Sequence, residues 1–187
     1  MPEFVSRAGQ KLEHAIATFN MNVAGLTCAD LGSNTGGFTD CLLQRGATKV
    51  YAVDTGYGVL DWKLRKDPRV VVMERTNAMH ASLPEPVGFI CIDVAWTRQK
   101  NILPAAKKLL APAAEIVSLV KPHYESHASI LRQGILPEER LDEVLASVSQ
   151  DIANAGFIVV ETVRSPIKGA KGNVEMLYRL ARRASED

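Results

Sequence analysis

No apolar run in this chain approaches the roughly 18 to 20 residues that a membrane-spanning helix needs, and residues 1–7 hold neither a charged leader nor an apolar signal core. The chain is expected to be soluble and cytoplasmic. Cysteine is scarce: Cys28, Cys41 and Cys91 are odd in number, and no CxxC pair or zinc-type spacing joins them. That excludes a disulfide framework and leaves reduced thiols in the core as the expectation. His123 and His127 stand four apart, but Pro122 and the lack of a third ligand argue against a metal. Excess charge is missing too. A net +1 is against indiscriminate binding to nucleic acid, so such a partner would have to be met by a local patch.

What is present suits one globular domain over residues 1–187, since 187 residues with 47% hydrophobic content can bury a sizeable core but are too few for two ordinary domains. The charge is uneven. Residues 97–135 carry six Lys/Arg against Glu115 and Glu125, residues 160–183 carry six more against Glu161 and Glu175, and an acidic stretch from Glu138 to Asp151 lies between them. One basic and one acidic face is the arrangement this suggests, with ordinary solvated surface charge as the alternative.

Apolar residues at helical spacing (Val5, Ala8, Leu12, Ala15, Ile16, Phe19) predict an amphipathic helix over residues 6–19 with Ser6 as its cap and Lys11 at the flank of the apolar stripe. Strands are predicted at the end of the run 23–31 and over 49–54, 70–74, 89–94, 115–120, 157–163 and 174–180. Helices are predicted after the bend at 32–37 and over 59–65, 99–110 and 137–155. Strands alternating with helices imply a doubly wound parallel sheet. The last two strands are joined directly through a Gly- and Lys-rich loop, which suits an antiparallel hairpin. The fold class is therefore α/β, Rossmann-like, with a seven-stranded, mostly parallel sheet, a closing hairpin and an extra N-terminal helix. A closing hairpin of this kind is typical of class I methyltransferases and not of dehydrogenases.

The stretch from Cys28 to Cys41 organises the rest. Gly32, Gly36 and Gly37 are spaced G-x-x-x-G-G, which lacks the G-x-G-x-x-G spacing that seats a dinucleotide pyrophosphate on a helix N-terminus. A bend of that kind suits S-adenosylmethionine, whose amino acid and ribose lie against backbone. Ser33, Asn34 and Phe38 belong to the same candidate cofactor set. Asp30 would orient the bend or meet the ligand's ammonium through water. Asp54, at a strand end, would accept both ribose hydroxyls, and Asn77, past the third strand, would meet an adenine edge. On the alternative reading the glycines only make a tight turn and Asp54 only caps the following helix.

Five stretches carry a family resemblance: Val5-Ser-Arg-Ala-Gly-Gln-Lys-Leu-Glu, Asp30-Leu-Gly-Ser-Asn-Thr-Gly-Gly-Phe-Thr-Asp-Cys-Leu-Leu, Val50-Tyr-Ala-Val-Asp-Thr-Gly-Tyr-Gly-Val-Leu-Asp-Trp-Lys-Leu-Arg, Glu74-Arg-Thr-Asn-Ala and Gly172-Asn-Val-Glu. Together they resemble the TlyA (haemolysin A) branch of the FtsJ-like ribose 2'-O-methyltransferases. The resemblance implies methyl transfer from S-adenosylmethionine to a ribose 2'-hydroxyl of ribosomal RNA through a Lys-Asp-Lys-Glu tetrad, which falls on Lys11, Asp93, Lys121 and Glu175. A sugar hydroxyl attacks a methyl group only if its proton is accepted as the new bond forms, and a lysine accepts it only where desolvation and a neighbouring cation favour the free amine. Lys121 is the expected base and Lys11 the neighbouring cation, with Asp93 and Glu175 holding the lysines and Asp93 also near the sulfonium. In that branch an S4-type RNA-binding domain usually precedes the catalytic domain. Here the matching motifs begin at Val5, so the chain is expected to hold the catalytic domain alone.

After Asp93 the chain continues Val-Ala-Trp-Thr-Arg-Gln in place of the branch's Ser-Phe-type continuation, and Pro122-His-Tyr-Glu replaces a Pro-Gln-Phe-type stretch. Trp96 and Tyr124 are candidates for stacking an unpaired base or, equally, ordinary packing aromatics. Arg98, Lys100, Lys168 and Lys171, with Arg7, are the expected phosphate contacts. The rival readings are a small-molecule O-methyltransferase, which needs neither the two lysines nor the Lys-rich loop, and a cofactor- or RNA-binding module without turnover.

Overall fold

The computed structural model describes residues 4–183; the expectations for residues 1–3 and 184–187 lie outside the described residues. The elements run α1 (Ala8–Thr18), β1 (Thr27–Leu31), α2 (Gly37–Gln44), β2 (Lys49–Val53), α3 (Trp62–Arg65), β3 (Val70–Met73), β4 (Val87–Ile92), α4 (Gln99–Leu109), β5 (Leu110–Val120), α5 (Pro122–Glu125), α6 (Leu141–Asn154), β6 (Phe157–Arg164) and β7 (Met176–Arg182). The seven strands form one sheet in the order β3-β2-β1-β4-β5-β7-β6. The first five are parallel, β7 runs antiparallel to β5, and β6 pairs antiparallel with β7. The alternation of strands and helices, with the last two strands joined directly, had implied this layout.

The central strands read as continuous apolar runs because helices cover both of their faces. Successive residues of β4 show the division. Phe89 and Cys91 pack with Leu12 and Ile16 of α1 and Phe38 and Leu42 of α2, whereas Ile90 and Ile92 pack with Ile102 and Leu103 of α4 and Val148 and Ile152 of α6. Each of these side chains is essentially fully buried, and each contributes on the order of 1.5–3 kcal/mol of transfer free energy. All three cysteines are free and buried, as expected. Among the described residues no helix is long and apolar enough to cross a membrane.

Several boundaries differ from expectation. Helix α1 starts at Ala8, and Ser6 does not cap it through its side chain; Ser6 instead packs under Gly37, where a Cβ would stand 2.3 Å from its Oγ. Strand β5 begins at Leu110, directly after α4, with a register shift against β4 between Val87 and Phe89. Helix α6 begins at Leu141 after a separate single turn at Glu138–Arg140. Arginines of both basic segments reach the acids between them: Arg132 pairs with Glu139 at 2.9 Å and Arg164 with Glu138 at 2.6 Å.

Candidate active site

Parallel strands bring their carboxyl ends to one edge, and at that edge a cleft of about 660 Å³ opens beside β1, β4 and β5. The bend after β1 makes one wall. Gly32 adopts φ +93, and a Cβ there would stand 2.4 Å from the Asp93 carbonyl oxygen, so only glycine lets this backbone rest against the end of β4. The N–H groups of Gly32 and Ser33 both donate to the Val53 carbonyl, at 2.9 and 3.0 Å. Gly37 permits a helix crossing, because the space for its Cβ is taken by Ser6 Oγ and, at 2.8 Å, by the Gly9 nitrogen. That close approach of α2 to α1 holds the helix that carries Lys11 against the cleft.

The candidate catalytic residues meet as two ion pairs. Lys11 Nζ lies 2.5 Å from Glu175 Oε2, and Lys121 Nζ lies 2.6 Å from Asp93 Oδ1; Lys121 also donates to the Val94 carbonyl at 3.2 Å. Their side chains are between 4% and 18% exposed, so each charge meets its partner in a largely desolvated setting. All four residues line the one cleft, although 164 positions separate Lys11 from Glu175 in the chain. Glu175 directly precedes β7 and does not start it, yet its carbonyl still accepts the Ser165 N–H at 2.9 Å and continues the hairpin.

The cofactor candidates divide. Gly32, Ser33, Asn34 and Phe38 line the cleft. Asp54 does not line the cleft but is tied to the bend: Oδ2 accepts the Asn34 N–H at 2.8 Å and Oδ1 the Gly56 N–H at 2.7 Å. It does not cap α3, whose cap is Asp61. A carboxylate offers about four acceptor positions, so Asp54 retains capacity for hydroxyl donors. Gly36, at φ +100, lies away from the cleft against Leu60 and Leu64. Asp30 is fully buried beneath the bend: Thr39 Oγ1 donates to its Oδ2 at 2.7 Å, and its Oδ1 has no partner among the described residues. Burial above all, helped by the Asp93 charge, pushes the Asp30 carboxyl up to about 7. Direct contact with a ligand is closed to it at 0% exposure. Asn77 is exposed outside the cleft and accepts the Met79 N–H at 2.9 Å.

Of the candidate RNA contacts, Arg7, Tyr124, Lys168 and Lys171 line the cleft. Trp96, 80% exposed, stands edge-on to Tyr124 with ring centroids 6.5 Å apart. Arg98 is partly engaged, donating to the Ser126 carbonyl at 3.0 Å; Lys100 is exposed on α4. Sequence reasoning weighed His123 only as a metal ligand and missed that it lines the cleft, buried, 4.0 Å from the Tyr124 ring. Burial and then the Lys121 charge hold its imidazole below the usual histidine range. Its place directly after Lys121-Pro122 was the available signal. Asn173 falls within the Gly172-Asn-Val-Glu motif, which by itself assigns it no role.

The sheet order with β7 antiparallel beside β5, together with the glycine bend at the carboxyl end of β1, defines the fold of class I S-adenosylmethionine-dependent methyltransferases, and solved methyltransferases of low sequence identity share it. The pattern of the FtsJ-like methyltransferase family matches residues 4–182, and the chain belongs to that family. It is 43% identical over 186 residues to "Putative rRNA methyltransferase YqxC" of Bacillus subtilis, covering 95% of this chain and 65% of that protein. To "16S/23S rRNA (cytidine-2'-O)-methyltransferase TlyA" of Mycobacterium tuberculosis it is 42% identical, covering 92% of this chain and 66% of the relative. A solved "Putative hemolysin from Streptococcus thermophilus" superposes with a TM-score of 0.95 at 40% identity over 99% of this chain and 69% of that one. The chain thus spans about two thirds of the length of these relatives.

Proposed function

We propose that this chain transfers the methyl group of S-adenosylmethionine to a ribose 2'-hydroxyl of RNA, and that the RNA is ribosomal. The observation that carries the reading is the convergence of Lys11–Glu175 and Lys121–Asp93 on one cleft beside the glycine bend. The activity in the name of the Mycobacterium tuberculosis relative supports the same acceptor.

The residues fit the donor. Gly32, Ser33, Asn34 and Phe38, which line the cleft, would hold the ligand's amino acid and ribose side, and Asp54, which accepts the Asn34 N–H, would take ribose hydroxyls. When bound, S-adenosylmethionine supplies a methyl group activated on a sulfonium. Lys121 Nζ, charged in its ion pair with Asp93, first gives up a proton to solvent; as the free amine it then accepts the hydroxyl proton as the carbon–oxygen bond forms. Asp93, 2.6 Å from Nζ, stabilises the ammonium charge as it grows, and being already in place it needs no reorganisation at that moment. Lys11, held by Glu175, presents a second cation to the ribose or its phosphate. Holding acceptor oxygen and donor carbon in line at contact distance supplies much of the remaining rate.

Incubation with labelled S-adenosylmethionine and ribosomal subunits or free ribosomal RNA, followed by alkaline hydrolysis, tests this. Label in alkali-resistant dinucleotides is the expected result. Label on a free base would sink the reading, and transfer to a catechol-like compound but not to RNA would favour a small-molecule acceptor.

A further inference from the structure

Two residues before Glu175, Asn173 is 3% exposed, and its side chain is used entirely on the backbone of two separate loops. Its Nδ2 donates to the carbonyls of Gly134 and Ala170, each at 3.0 Å, while its Oδ1 accepts the Leu136 N–H at 3.0 Å. Its own carbonyl accepts the Gly169 N–H at 2.9 Å. One side chain therefore joins residues 131–137, where Arg132 and Ile135 bridge antiparallel, to residues 165–173.

The second loop is a wall of the cleft, where Ile167 to Lys171 line it beside Glu175. It lies close on the carboxylate: a Cβ added to Gly169 would stand 2.3 Å from Glu175 Oε1. Lys171 holds φ +56, a left-handed conformation that costs a non-glycine residue energy. Its Nζ donates back to the Gln133 carbonyl at 3.2 Å, a second tie between the two loops. A strained turn over a buried carboxylate persists only where its surroundings over-determine it, and the Asn173 hydrogen bonds are those surroundings.

We infer that Asn173 is a positioning residue: it locks residues 131–137 and 165–173 into one wall that seats the Glu175 carboxylate against Lys11 and presents the 168–171 turn to the RNA. The inference rests on the reading of Lys11 and Glu175 as members of the methyl-transfer site. The amide chemistry is specific. Asn173→Asp keeps the size and the acceptor for Leu136 but replaces the nitrogen that makes both donations with one oxygen facing the Gly134 and Ala170 carbonyls.

The test measures kcat and KM for RNA at saturating donor, donor affinity by calorimetry, and amide hydrogen exchange in both loops. Asn173→Asp and Asn173→Ala should lower kcat roughly a hundredfold, the scale of a 1 Å misplacement, with donor affinity at the wild-type value and exchange accelerated in both loops together. Gly169→Ala, which pushes on Glu175 while leaving Asn173 intact, should lose kcat similarly without that joint acceleration. Wild-type kcat in either Asn173→Asp or Gly169→Ala would overturn the inference. So would exchange accelerated in one loop only, or a kcat loss matched by equal losses of donor affinity and melting temperature. Should the wild-type protein methylate no RNA, the reading of Lys11 and Glu175 fails, and hydrogen exchange still decides whether Asn173 couples the loops.

Discussion

Lys121 Nζ lies 2.6 Å from Asp93 Oδ1, and the distance follows from the register of two neighbouring parallel strands. Ile92 pairs with Ser118, so Asp93 lies level with Leu119 and Lys121 stands two residues further on, just past the end of β5. Bridging that offset takes a side chain as long as lysine. Lys121→Ala should therefore abolish turnover, losing about 10²- to 10⁴-fold in kcat as expected for removal of a general base, while donor binding stays nearly intact. Single-turnover assays with labelled donor measure the first quantity and calorimetry the second. Wild-type turnover in this variant would remove Lys121 from the mechanism.

Gly32 lends itself to a controlled comparison. Gly32→Ala combines an unfavourable φ of +93 with a Cβ 2.4 Å from a backbone oxygen, whereas Gly25→Ala has a similar φ of +77 and nothing within 4 Å. The Gly25 variant should lose only the backbone contribution, about 1–2 kcal/mol. The Gly32 variant should lose more, with melting temperatures falling by about 2–4 °C per kcal/mol for a chain of this size, and donor affinity should fall in this variant alone. Equal melting temperatures for the two would mean that β1 and β4 do not depend on this contact.

These positions also show what was legible in the sequence. Strand ends announce themselves through apolar runs stopped by Asp93 or by Lys121-Pro122, and the hairpin through its Gly- and Lys-rich loop, so the fold followed from local pattern, and the resemblance named the four candidate catalytic positions. Pairing did not. That Lys11 belongs with Glu175 and Lys121 with Asp93 depends on sheet order and on the Gly37–Ser6 crossing, which act over 28 to 164 positions of chain. For Asp30 the sequence left two roles open, orienting the bend or meeting a ligand through water; its pattern marks a strand end, and only packing decides that Thr39 covers it.

Asp30 also gives the pH prediction. Its carboxyl rises from an ordinary 3.8 to about 7 in the folded protein. Between those values Asp30 binds more protons in the folded state than in the unfolded one, so its contribution to stability is present below about 4 and is lost as pH rises to about 7. Glu125, raised to about 7 mainly by burial, adds a contribution of the same sign. Asp30→Asn keeps an acceptor for Thr39 and has no charge to bury, so it should flatten part of that decline and be more stable than wild type at pH 8 by about 1–3 kcal/mol. Denaturant unfolding across pH 4–8 measures it. A variant whose stability falls as steeply as wild type would show that Asp30 does not carry the decline.

RNA affinity should separate into an electrostatic part and a stacking part with different signatures. Lys168 and Arg7 are exposed and line the cleft, so Lys168→Ala and Arg7→Ala should each reduce the slope of log affinity against log salt by roughly 0.7 to 0.9, the loss of one phosphate contact. Trp96 is uncharged and 80% exposed beside Tyr124. Trp96→Ala should cost about 1–3 kcal/mol of RNA affinity if a base stacks there, leave the salt slope alone and leave the melting temperature unchanged, since a side chain this exposed buries little on folding. A lower melting temperature with unchanged RNA affinity would make Trp96 a packing residue. Salt-independent affinity in the wild-type protein would remove Arg7, Lys168 and Lys171 from RNA recognition, because phosphate contacts cannot form without displacing counterions.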